Sequence, residues 1–167
     1  MSSLQDFNFN QDDPEWKVEI GRHRRVRGQD FATNDLAAAI LPSMARMRHS
    51  VPGLYAIALG TGDGLHVCSL GLPDSLVASE ITALSAPMLG VSEAQANLLE
   101  PDIDDSAPPA IVTVARPDDE CMALVKVEHK PVGHLVMTLF ARDTQLGMVV
   151  YHARNSAIQM AEWLAEV

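Results

Sequence analysis

His66 and Cys68 stand two residues apart in an apolar run, a spacing that puts imidazole and thiol on the same side of a strand. That pairing is what a base-activated thiolate requires, but no third group that would orient the imidazole lies near them in sequence. Cys68 and Cys121 are the two cysteines of the chain, and with no CxxC spacing they build neither a redox motif nor a zinc site. Both fall in apolar runs and are expected to be small core residues. His129 and His134 bracket a turn and His152 sits in the last helical segment, none of them in an HExxH or other metal-ligand spacing. Asp118 and Asp119 occupy a turn, where aspartate bonds its own backbone, so they are not read as a catalytic carboxylate pair. Gly60-Thr61-Gly62-Asp63-Gly64 has neither GxxxxGK[ST] nor GxGxxG spacing and reads as a hairpin turn rather than a phosphate cradle. The expectation is a chain with no catalytic residue, no metal site and no cofactor.

These residues are carried by a regular alternation of elements. Leu36, Ala39, Ile40, Ser43, Met44 and Met47 repeat at three- and four-residue intervals, which predicts a helix from Asn34 with Thr33 or Asn34 as its cap. Pro42 should kink it, and Val51-Pro52-Gly53 ends it. Leu54 to Leu59 and Leu65 to Leu70 are short strands about the glycine-rich turn. Ser75 to Leu99 is the strongest helical signal, capped by Asp74 or Ser75 and bent near Pro87, with Val77, Ile81, Leu84, Met88, Val91 and Leu98 as its expected core face. The opposite face carries Ser79, Thr82, Ala83, Ala86, Leu89 and Gly90, small where a solvated face would be charged. It is read as a contact for another helix, with an indifferent Ala/Ser surface as the alternative.

Glu100 to Pro109 is acidic, proline-rich and without periodicity, an exposed loop that lacks the glycine turn of a calcium cage. Ala110 to Ala115, Cys121 to Glu128 and His134 to Phe140 follow as an antiparallel meander, the middle strand alternating with a period of two. Thr144 to Val167 closes the chain as a helix capped by Asp143 or Thr144, burying Leu146, Val149, Val150, Ala153, Ala157, Met160 and Leu164. The predicted fold is α+β, a five-stranded antiparallel sheet in the order α-β-β-α-β-β-β-α with helices over it.

At 167 residues and 47% hydrophobic, the chain supports one real core. Residues 31–167 are expected to form it. Residues 1–30 form a charged arm, expected to be flexible, in which Asp6, Asp12, Asp13, Glu15 and Glu19 precede the basic run Arg22 to Arg27. Phe7, Phe9 and Trp16 give that arm a means of docking. A net charge of −10 argues against nucleic acid as a partner. Apolar runs such as Leu135 to Phe140 fall far short of the roughly 18 to 20 residues of a membrane span. No basic start followed by an apolar stretch marks export, so the expected location is the cytoplasm.

Val51-Pro52-Gly53-Leu54-Tyr55-Ala56-Ile57-Ala58-Leu59, with Asp63-Gly64-Leu65 after it, resembles the opening strand and hairpin of the roadblock/dynein light chain family. Glu80-Ile81-Thr82-Ala83-Leu84-Ser85-Ala86 resembles its long helix, and Leu146-Gly147 with Ala153-Arg154 its closing helix. The resemblance spans Val51 to Val167, and profilin-like and longin-like folds share much of the architecture. It implies a homodimer, or a heterodimer with a similar chain, in which central helices pair and sheets join edge to edge. The interface would draw on Ser79, Thr82, Ala83, Ala86, Leu89 and Gly90 and on the strand that holds Ile111 and Thr113. It further implies a non-enzymatic regulator of a small Ras-like GTPase. A nucleotide-independent scaffold and a small-molecule sensor remain as alternatives.

Overall fold

A computed structural model of the chain describes residues 17–21, 33–102 and 110–166. Nine elements are found there: β1 (Val18–Ile20), α1 (Thr33–Ser50), β2 (Leu54–Thr61), β3 (His66–Leu70), α2 (Ser75–Leu99), β4 (Ile111–Arg116), β5 (Glu120–His129), β6 (Gly133–Arg142) and α3 (Leu146–Ala165). The strands form one antiparallel sheet in the order β1-β3-β2-β6-β5-β4.

The expected α+β class with an antiparallel sheet is therefore found, but the sheet has six strands and the element order begins with a strand. The added strand lies inside the stretch read as a flexible arm. Three residues, one of them Glu19, are too short a run to show alternation. What orders them is the bonding edge of β3, to which Gly21 N–H donates through the Val67 carbonyl at 2.7 Å. Residues 1–16 and 22–32, with the expected boundary at residue 30, lie outside the described residues, as do residues 103–109 of the acidic loop.

Period-two alternation divides the sheet into two unlike faces. Ile57, Leu59, Leu135, Met137, Leu139, Ala123, Val125 and Val127 line one, where they form a single core with Leu36, Ile40, Met44 and Met47 of α1 and Val149, Ala153, Ala157, Met160 and Leu164 of α3. Ala56, Ala58 and Phe140 line the other and pack against Ala78 of α2. Val136 packs there against Ala86 and Leu89.

The turns follow their residues. Thr61 donates through its hydroxyl to Asp63 and accepts from Leu65 N–H at 3.0 Å. Gly64 takes φ +91°, closing the β2–β3 hairpin. Asp118 and Asp119 lie at φ 64° and 56° in the three-residue turn Pro117-Asp118-Asp119 between β4 and β5, a left-handed geometry that aspartate tolerates. Asp74 caps α2 as expected, its carboxylate accepting from Val77 N–H at 2.9 Å. The expected cap of α3 is corrected: Gln145 holds that position without a side-chain bond, and Asp143 sits at φ 53° in the bend before it.

Candidate interaction surface

The groups able to do chemistry are dispersed or shut in. Cys68 is fully buried, its thiol directed at Met44 Sδ at 3.6 Å, and burial pushes its pKa far above the ordinary thiol range. The reactive species of a cysteine is the thiolate, so this thiol is held in the unreactive form. Burial raises the Cys121 thiol as well and lowers the His129 imidazole. Among the described residues no group of three His, Cys, Asp or Glu side chains is placed to hold a metal ion. Arg142 lies 4.0 Å over the Tyr55 ring, whose hydroxyl is raised mainly by burial and secondarily by Glu120. A cavity of about 340 Å³ opens between α1 and α3, lined by Ser43, Arg46, Met47, Ser50, Ser156, Gln159, Met160 and Trp163.

The informative surface is α2, and its orientation reverses the expected one. The inward residues are Ala78, Thr82, Ser85, Ala86 and Leu89. Of the residues expected on the core face, Leu84 is 66% exposed, Val91 59%, Leu98 85% and Met88 38%, while Val77 and Ile81 are half-buried.

The reason lies in the sheet beneath. β2 presents Ala56, Ala58 and Gly60 to α2, so the helix comes close and only small side chains fit between. A Cβ built on Gly60 would stand 2.9 Å from Thr82 Cβ. The two hydroxyls trapped there are satisfied. Thr82 donates to the Ala78 and Ser79 carbonyls at 3.1 and 3.0 Å. Ser85 donates to the Ile81 carbonyl at 2.8 Å and accepts from Thr138 at 2.8 Å.

The residues singled out in sequence are thus split. Thr82, Ala86 and Leu89 are taken up by the chain's own sheet, whereas Ser79, Ala83 and Gly90 are exposed. Ile111 and Thr113 lie half-buried on β4, the terminal strand of the sheet, bonded within it to β5 only.

What the sequence reading placed inward is an apolar seam that the structure turns largely outward. Val77, Ile81, Leu84, Met88, Val91 and Leu98 follow steps of four and three, with the polar Gln95 filling the step between the last two, the spacing of the two apolar positions of a heptad. From Leu84 onward this seam faces outward beside β4, where Val112 packs against Ala86 and Leu89. The missed signal was in the strand: Ala56-x-Ala58-x-Gly60 on one face demands a small-faced helix above it. α2 is also long and apolar enough to cross a membrane by length and composition alone. In this fold its inner face is engaged by the sheet.

No family model matches the sequence, and a comparison with curated proteins finds no match. Solved structures do match. MglB of Myxococcus xanthus is similar with a TM-score of 0.59 at 12% identity, over 77% of this chain and 90% of that one. The gliding protein MglB of Thermus thermophilus gives 0.56 at 15% identity over 77% and 90%. A Roadblock/LC7 domain from Streptomyces avermitilis gives 0.54 at 19% identity over 74% and 95%.

Proposed function

With a roadblock/LC7 fold as its premise, we propose that this chain is a non-catalytic, dimer-forming regulator in the cytoplasm that binds a small Ras-like GTPase and alters its nucleotide state or location. The observation that supports dimer formation is the outward seam Leu84, Met88, Val91 and Leu98 beside the terminal strand β4. A heptad-spaced apolar row is matched by another helix of the same spacing, and an open strand edge by another strand. A second copy of the chain supplies both at once across a two-fold axis.

The GTPase as partner is supported by the resemblance read in the sequence together with the fold. Binding would act by favouring one conformation of the partner's switch regions, with the partner's own groups performing hydrolysis. Arg142, stacked on Tyr55, and Arg154, exposed on α3, are not singled out as a transition-state finger.

The test is affinity capture with the full chain as bait, in GTP analogue or in GDP, at concentrations where sedimentation shows two copies. A Ras-like GTPase retained in one nucleotide state is the expected result. Retention in both states would replace regulation by scaffolding. Retention in neither would overturn the GTPase reading and bring forward a sensor using the cavity between α1 and α3, read by a ligand-dependent rise in Tm.

A further inference from the structure

The two ends of the described sheet are finished differently. At one end β4 runs for six residues and is bonded in the sheet to β5 alone. At the other end β3, buried along its whole length, is covered by β1, which has three residues.

Gly71 N–H donates to the Lys17 carbonyl at 2.9 Å and Gly21 N–H to the Val67 carbonyl at 2.7 Å. With Val18 opposite Leu70, Glu19 opposite Ser69 and Ile20 opposite Cys68, the alternation of an antiparallel ladder makes Glu19–Ser69 the bonded pair between those two. The fit depends on close approach, since a Cβ on Gly21 would stand 1.8 Å from the His66 carbonyl oxygen.

We propose that β1 is an edge cap that closes β3 to a second copy of this chain, so that sheets join through β4 alone and assembly stops at two copies. It rests on the dimeric reading above. A sheet with two open edges can join β4 of one copy to β3 of the next, a head-to-tail contact that repeats without closing. With β3 covered, the strand at that end offers only three residues, so β4 against β4 is the pairing with a longer strand on both sides, and a two-fold axis closes it.

The experiment is sedimentation velocity of the full chain over a range of concentrations, with far-UV circular dichroism on each variant. Glu19→Pro removes the central ladder donor, Gly21→Val forces the strands apart, and Glu19→Gln keeps the donor while removing the charge. Wild type and Glu19→Gln are expected to stop at the mass of two copies. Glu19→Pro and Gly21→Val are expected to reach at least twice that mass, rising with concentration. Folded Glu19→Pro and Gly21→Val with the wild-type profile would overturn the proposal. So would loss of the circular dichroism signal in both, because β1 would then be part of the core rather than a cap. A wild type that stays monomeric sinks the dimeric reading, and the cap is then decided by whether the two variants associate where wild type does not.

Discussion

α2 and α3 are both long helices with an apolar stripe at helical spacing, yet they turn those stripes in opposite directions. α3 buries Val149, Ala153, Ala157, Met160 and Leu164 over a sheet face built from Ala123, Val125 and Val127. α2 lies on a face of Ala56, Ala58 and Gly60 and turns Leu84, Val91 and Leu98 away from it. Which side of a helix is buried is decided by the volume available above the sheet, and not by which side is more apolar. Over Ala56, Ala58 and Gly60 the helix comes close and turns Ala78 and Thr82 to the sheet, while the larger Leu89 is accommodated farther along, against Val136.

Truncating the inward stripe should give the largest loss of stability. Met160→Ala is expected to cost about 3 kcal/mol in unfolding free energy, through lost burial and the cavity left behind, read as a lower denaturant midpoint. Filling the close contact under α2 should come next. Ala58→Leu, with Ala58 fully buried against α2, is expected to cost about 2 kcal/mol by overpacking. The same exchange at an exposed site such as Ala83 would leave the midpoint unchanged.

A smaller effect is expected from pH. His129 is placed by register on the face that α3 covers, and burial holds its pKa below the ordinary 6.5. The neutral imidazole is the favoured folded form, so its contribution is fully present above pH 6.5 and is lost as pH falls through the folded pKa. A denaturation series from pH 7.5 downward should show His129→Gln with a shallower decline than wild type. The smallest change in stability belongs to the outward stripe: Leu84→Asp should leave the midpoint of dilute protein within about 0.5 kcal/mol of wild type. The same variant should abolish self-association by sedimentation. A loss comparable to that of Met160→Ala would place Leu84 in the core and remove the contrast between the two helices.

Much of the fold was legible because it follows from local rules. The three helices and five longer strands lie where periodicity, glycine turns and prolines place them, and α2 begins and ends at the expected Ser75 and Leu99. The candidate surface was legible in its elements and not in its orientation. The residues of α2 and β4 were singled out, but Thr82, Ala86 and Leu89 proved to be inward and Leu84, Met88, Val91 and Leu98 outward. A helix with one large-apolar face and one small face has two ways to lie on a sheet, and hydrophobic periodicity names the faces without ranking them.

The amino-acid sequence by itself determined the class of the fold, the order of its longer elements, the turn chemistry and the burial of both cysteines, because each depends on residues close together in the chain. Only the tertiary structure decided that Val18–Ile20 becomes a strand and that α2 shows its larger apolar side to the outside. Both depend on a surface contributed from elsewhere: the bonding edge of β3 in one case, and the shallow floor of Ala56, Ala58 and Gly60 in the other.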